Sequence, residues 1–264
     1  MIRTAAVGLA AFLLVSASVS GLAAESLPNK PEAFAEDPGE AAYRVRTVRA
    51  AAGQLGPLIE AYAALFADDA ARPEDLMRPW IIRLSQGDHW DLMLIYPVES
   101  WASYMQAERT AGQDPRFTGY RVAREAVAEK IAFSEDLFMR GPAHDRVAGV
   151  FSENGFAHIE VFHALPGRKR ELIEQRRMEN AYMRGIGKAA NLIFVSDYGG
   201  DADAMTIGLY GSLQHFAAPP QLNDDQRGRV AREAGFASLD DIGLYLRKLI
   251  ARHQDTLGHV IAVH

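Results

Sequence analysis

The sequence predicts an α+β protein made of two tandem copies of one unit, strand–helix–strand–strand–helix–strand, closed onto each other as a single barrel. Three observations predict it. One half of the chain resembles the other at a nearly constant offset, apolar residues recur at helical spacing between short strands, and the strands are too apolar to leave a sheet face in water.

The chain opens with 24 residues that hold one charge, Arg3, an apolar run from Ala5 to Val15 and a small-residue tail from Ser16 to Ala24. The run is too short for a spanning helix and the tail offers small residues at a cleavage point, so residues 1–24 are expected to be a secretory signal peptide. Export to the periplasm or the medium follows as an expectation. Residues 25–42 contain Pro28, Pro31 and Pro38 without an apolar period and are expected to form an extended leader.

The first unit is expected over 43–141 and the second over 156–264. Arg44 to Gly53 reads as a strand ending in a glycine turn, and Leu55, Leu58, Ile59, Tyr62, Leu65 and Phe66 follow at helical spacing. His158 to Gly167 repeats the strand and turn 114 positions later, with Leu172 and Ile173 opening the next helix. Trp80–Gly87 and Trp90–Tyr96 read as two strands joined by a Gly-Asp-His turn, and a helix begins at Glu99–Tyr104. Their counterparts are Asn191–Ser196, a turn at Gly199-Gly200-Asp201, Ala204–Tyr210 and Gly211–Phe216, now 112 positions away. Each copy closes with a helical tract, 120–133 and 239–253, and a short strand, 136–140 and 255–261. That order is the split βαβ, or ferredoxin-like, arrangement, with helices on one sheet face; two such units bury the other face by closing into a barrel.

About 240 residues after the expected signal peptide suffice for a core without staples. Cysteine is absent, which excludes disulfides, thiolate metal sites, a cysteine nucleophile and a lipidated N-terminal cysteine. The formal charge is −6, and −7 without Arg3, with no basic run, so a nucleic-acid partner is not expected. No stretch after the leader is long and apolar enough to span a membrane.

Val45 to Gln54, more closely Ile159 to Arg168, and the Ser100-Trp-Ala-Ser-Tyr104 helix start resemble the dimeric α/β-barrel superfamily, in particular its NIPSNAP-like branch. The resemblance implies an intramolecular dimeric α/β-barrel. It also implies a menu of activities: cofactor-free oxygenases, isomerases and cyclases, haem-binding or haem-degrading enzymes, and members without chemistry. No run matches a catalytic signature of those branches, so no family site is carried over.

Strand alternation puts Arg44 and Arg46 on one face of the first strand, and His158 and Glu160 on the corresponding face of its repeat. If that face lines the barrel, the four meet in one cavity. His158, Glu160 and Arg46 would then be catalytic, the glutamate orienting the imidazole and the arginines neutralising an enolate or carboxylate. The structural alternative is an internal Arg46–Glu160 salt bridge. His89, Trp90 and Asp91 at the first hairpin are ligand-binding candidates, with His89 and Asp91 expected on one side and Trp90 on the other; the alternative is a polar hairpin tip anchored by Trp90. His253, with Asp255 beside it, is a third candidate, or else a histidine at the end of the last helix meeting the helix dipole.

No histidine and carboxylate spacing typical of a metal site occurs, and no metal is expected. In the helix after Gly167, Arg176, Glu179 and Asn180 interrupt the apolar stripe, which predicts either a solvated helix or one bordering a cavity mouth. The leading expectation is a barrel that binds a small, largely apolar molecule between its halves. Haem, ligated by His89, His158 or His253, and an interaction protein with a filled barrel are the alternatives; a homodimer is compatible with each.

Overall fold

The computed structural model describes residues 39–262; the expected signal peptide and the leader up to residue 38 lie outside them. Strands β1 (Ala41–Ala50), β2 (Trp80–Gln86), β3 (Leu92–Val98) and β4 (Ile131–Gly141) alternate with helices α1 (Leu55–Phe66), α2 (Trp101–Gln113) and α3 (Thr118–Ala128). Helix α4 (His144–Glu153) leads to the second half. There β5 (Phe156–Ala164), α5 (Lys169–Gly185), β6 (Leu192–Tyr198), β7 (Ala204–Tyr210), α6 (Leu213–Ala217), α7 (Asp224–Glu233), α8 (Asp241–Arg247) and β8 (Ile250–Ile261) repeat the order. No helix among the described residues is long and apolar enough to cross a membrane.

The eight strands form one closed antiparallel barrel in the order β1-β3-β2-β8-β5-β7-β6-β4. Each half contributes four adjacent strands. The last strand of each half pairs with the second strand of the other, β8 with β2 and β4 with β6, so no edge is left open. A matched pair of turn locks shows the duplication at atomic level. The Ala50 amide donates to Asp91 Oδ2 at 2.9 Å and the Ala164 amide to Asp203 Oδ2 at 2.8 Å, while the amides of Asp91 and Asp203 donate to the Val48 and Phe162 carbonyls.

Three boundaries differ from expectation. β1 starts at Ala41, inside the expected leader. β4 starts at Ile131 and β8 at Ile250, where the apolar spacing predicted helix as far as 133 and 253. Both strands pair along nearly all of a long first strand, Ala50 with Ile131 and Ala164 with Ile250, and these ladder hydrogen bonds override the local period.

Alternate residues divide cleanly between two layers. Tyr43, Val45, Ile82, Met93, Ile95, Ile159, Phe194, Met205 and Ile207 point inward and fill much of the barrel. Val147 and Phe151 of α4 join this cluster, and the Tyr43 hydroxyl donates to the Pro142 carbonyl. The opposite faces of the strands carry the helices: α1–α3 over the first half, α5, α7 and α8 over the second.

The β2–β8 seam depends on Gly87. Its φ is +104°, and a Cβ there would lie 1.7 Å from the Asp255 carbonyl oxygen. Gly87→Ala is expected to lower the unfolding free energy by about 2 kcal/mol or more. Gly56→Ala, in open space at the start of α1, should not lower it; equal denaturation midpoints for the two variants would contradict this account of the seam.

Candidate functional site

Arg44 and Arg46 do not enter the barrel. They lie on the outer face of β1 and line a cavity of about 330 Å³ between the first-half sheet and its helices. Tyr62 and Phe66 of α1, Tyr96 of β3, Tyr104 of α2, and Tyr120 and Arg124 of α3 contribute to its walls, as do Asp75, Glu108 and Glu125. The Arg44 Nε donates to Asp136 at 2.8 Å, and Arg124 pairs with Glu108 at 2.6 Å. Arg46 differs: its Nη2 donates to the Ser134 hydroxyl at 2.7 Å, it has no carboxylate partner among the described residues, and its Nε is shielded from solvent without an acceptor.

The phenols beside it remain protonated donors at neutral pH. Burial raises Tyr62, against the pull of Arg46 and Arg44, and raises Tyr96 strongly. Burial also pushes Tyr104 up to about 12. The hydroxyls of Tyr62 and Tyr96 have no hydrogen-bond partner among the described residues. The cavity thus combines aromatic and aliphatic walls with the cations of Arg44, Arg46 and Arg124, tyrosine hydroxyls, and the carboxylates of Asp75, Glu108 and Glu125.

His158 and Glu160 occupy the equivalent outer face of β5, under α5, so the expected four-residue cavity does not form, and neither does an Arg46–Glu160 bridge. The physical reason is barrel size: an eight-stranded barrel has room for packed side chains, and charges placed there would lose their hydration. Glu160 instead meets Arg176, whose Nη1 lies 3.4 Å from Glu160 Oε2, and accepts from the Thr206 hydroxyl at 3.1 Å. Arg176 is 2% exposed, with its guanidinium 4.7 Å from the Phe162 ring centre, and it also binds Gln175 and Glu179. It stands at the position of Tyr62 in the first half and fills the space that is open there. Of the polar interruption of α5, Arg176 and Asn180 are therefore buried and Glu179 is half-buried beside Arg176.

The structure does bring together two groups that were separate in the sequence. His253 sits on β8, not at a helix end, because β8 continues back to Ile250. His158 Nε2 lies 3.0 Å from Asp255 Oδ1, His253 Nε2 lies 2.9 Å from Asp255 Oδ2, and Glu160 stands opposite Asp255 in the β5–β8 ladder.

The first hairpin also departs from expectation. β3 starts at Leu92, so residues 87–91 form the turn and strand alternation does not apply to them. Asp91 turns back to lock β1, a structural role shared with Asp203. Trp90 is 6% exposed and packs in the barrel core. His89, 4.5 Å from the Trp90 ring centre and 2.7 Å from Asp88, borders a cavity of about 490 Å³ in the open mouth of the barrel. Glu135, His163, Asp201 and Arg252 line the same mouth.

Reasoning from sequence missed Tyr62, Tyr96, Tyr104, Tyr120 and Arg124, which come from four different elements, and missed Arg176 as the partner of Glu160. One signal was available: the 114-residue offset aligns Tyr62, Leu65 and Phe66 with Arg176, Glu179 and Asn180.

The His158–Asp255 pair sets a pH dependence. Burial alone lowers the His158 pKa, but the Asp255 hydrogen bond and the Glu160 charge outweigh it, so the net shift is upward. Its contribution is complete below the ordinary histidine value and is lost as pH rises through the raised one. Asp255 is held low, first by its hydrogen bond from His158, and its contribution is lost as pH falls through the lowered value. The pair therefore contributes most between about pH 4 and 6.5. The difference in Tm between the parent and Asp255→Asn is expected to peak in that window and shrink by pH 8.5; a constant difference would show that the pair is not the source.

No family model matches the chain, and no curated protein sequence matches it. Among solved structures it is similar to an anthrone oxidase-like protein, with TM-score 0.52, 13% identity and coverage of 86% of this chain and 93% of that one. It is also similar to a proposed monooxygenase from Fusobacterium nucleatum subsp. nucleatum, with TM-score 0.51, 7% identity and coverage of 85% and 94%. A variant chlorite dismutase from Candidatus Nitrospira defluvii gives 0.50, 13%, 86% and 94%. At such identities the likeness is one of fold. The chain has the dimeric α/β-barrel fold, with both ferredoxin-like halves supplied by one polypeptide.

Proposed function

We propose that the chain is an exported binding protein for a small, largely apolar organic anion, held between the sheet and helices of the first half, with Arg46 and Arg44 facing its negative group. The carrying observation is Arg46: a cation with no carboxylate hydrogen-bonded to it among the described residues and a buried Nε, at a cavity with aromatic walls whose carboxylates include Glu108, held by Arg124. Arg46 is half-buried, and the carboxylate opposite it in the ladder, Asp136, is taken by Arg44; an anionic ligand would offset the cost of that partly desolvated charge. Tyr62 and Tyr96 supply hydroxyl donors to the same region, and aromatic rings supply the apolar surface.

The same arrangement suits cofactor-free oxygenase, isomerase or cyclase chemistry, in which an enolate or phenolate accumulates charge. Donors fixed in advance in a poorly hydrated site stabilise such a species more than its neutral precursor. The anthrone oxidase-like and monooxygenase neighbours support this direction through fold alone. The expected signal peptide at residues 1–24 supports action in the periplasm or outside the cell, and the strand-and-turn motif at Ile159–Arg168 supports kinship with the NIPSNAP-like branch.

Calorimetry with 2-naphthoate and its neutral amide tests the reading. The carboxylate should bind, the amide at least about tenfold more weakly, and Arg46→Met should raise the Kd for the carboxylate about 10–100-fold, the scale of hydrogen bonds to a charged group. Equal binding of acid and amide, unchanged in Arg46→Met, would sink it.

Haem in the barrel mouth is the second reading, favoured by His89, whose Nδ1 faces Asp88 and leaves Nε2 as an axial ligand. Asp88, Glu135 and Asp201 at that mouth oppose the propionates, and Arg252 is the cation there that could face one. This reading predicts a Soret band on adding haem that is lost in His89→Ala; a titration without such a band ends it.

A further inference from the structure

We propose that the second half carries a site for one divalent transition-metal cation, with Glu160, His253 and Asp255 as ligands and His158 as the residue that positions Asp255. The β5–β8 register sets Glu160 directly opposite Asp255 and Phe162 opposite His253, so all three donors share the outer face of two paired strands. One ligand atom from each lies within 4.8 Å of the others. His253 and Asp255 already approach to 2.9 Å, a normal separation between neighbouring ligands on one ion, and metal–nitrogen and metal–oxygen bonds of about 2.0–2.2 Å draw Glu160 in by a modest side-chain shift.

Comparison of the halves gives an independent reason. In the first half the equivalent cross-strand pair is Arg46 opposite Asp136, of opposite charge, with Ser134 at the position of His253. In the second half it is Glu160 opposite Asp255, two carboxylates, an arrangement that destabilises a ladder unless positive charge lies between them. Arg176 answers Glu160 and Glu179, leaving Asp255 to two imidazoles. The duplication has turned a site with surplus positive charge into one with surplus acceptors.

The hydrogen-bond pattern shows what the cation replaces. Arg247 Nη1 donates to His253 Nδ1 at 2.9 Å, which places the imidazole hydrogen on Nε2, pointing at Asp255 Oδ2. A cation takes the place of that hydrogen. Nδ1 then carries the proton, and Arg247, an exposed side chain, turns away. His158 keeps its Nε2–H on Asp255 Oδ1, the outer contact that orients a ligating carboxylate. The Asp255 side chain is 54% exposed whereas that of His253 is 12% exposed, so the cation enters past Asp255 and is held against the sheet. One imidazole with two carboxylates, and positions left for water, suits zinc, cobalt or manganese rather than a soft or an all-oxygen ion.

The test is equilibrium dialysis of the full chain against Zn²⁺, Co²⁺ or Mn²⁺, with metal analysis and, for Co²⁺, the visible spectrum. About one equivalent should be retained, with ligand-field bands for Co²⁺. Asp255→Asn, nearly the same shape, and His253→Ala should weaken binding at least about 100-fold, and His158→Ala about 10–100-fold. Arg247→Ala should tighten it, since it frees Nδ1, whereas a purely structural role for the cluster predicts no uptake in any variant. Absence of stoichiometric uptake by the parent, or uptake that survives Asp255→Asn in folded protein, overturns the proposal. Arg46→Met, in the other half, leaves uptake unchanged, so this outcome is independent of the anion reading.

Discussion

Everything in this fold follows from a sheet face that cannot stay in water. A strand–helix–strand–strand–helix–strand unit covers one side of its four strands with helices and leaves the other apolar. Here Val45, Ile82, Met93 and Ile95 of one half find Ile159, Phe194, Met205 and Ile207 of the other, and the β2–β8 and β4–β6 seams close the ring around them. Closure removes every open edge and makes the two halves one cooperative core.

That closure also decides where chemistry can sit. Apolar side chains occupy much of the interior and Val147 and Phe151 of α4 pack into it, leaving a cavity at the mouth bordered by His89. Polar residues on the same strands point the other way, into the layer beneath the helices. Each half has such a layer, and the two have diverged at matched positions. Where the first half has Arg46, Tyr62 and Ser134, the second has Glu160, Arg176 and His253. The first layer is open and carries an arginine without a carboxylate partner among the described residues; the second is filled by Arg176 and gathers carboxylates and imidazoles around Asp255.

The duplicated positions that did not diverge are the structural ones. Asp91 and Asp203 make the same backbone contact in both halves, which explains why a residue that reads as a ligand candidate in the hairpin serves the turn. Tyr62 and Arg176 show the converse. Both lie on an inward helix stripe at the same step of the repeat, yet one borders a cavity and the other fills it, because an arginine with Glu160 and Glu179 in reach can be buried fully paired.

The sequence by itself determined the unit, its duplication and the closure, because these rest on local periodicity and on the amount of apolar strand surface to be buried. It also identified Arg44, Arg46, His158 and Glu160 as a set on one strand face, since alternation along a strand is a local property. Only the tertiary structure decided that this face meets the helices, that Arg46 and Glu160 serve separate layers, and that His253 belongs to a strand. Those outcomes depend on ladder pairing between residues about ninety positions apart and on the limited width of an eight-stranded barrel, and neither is written in the local pattern.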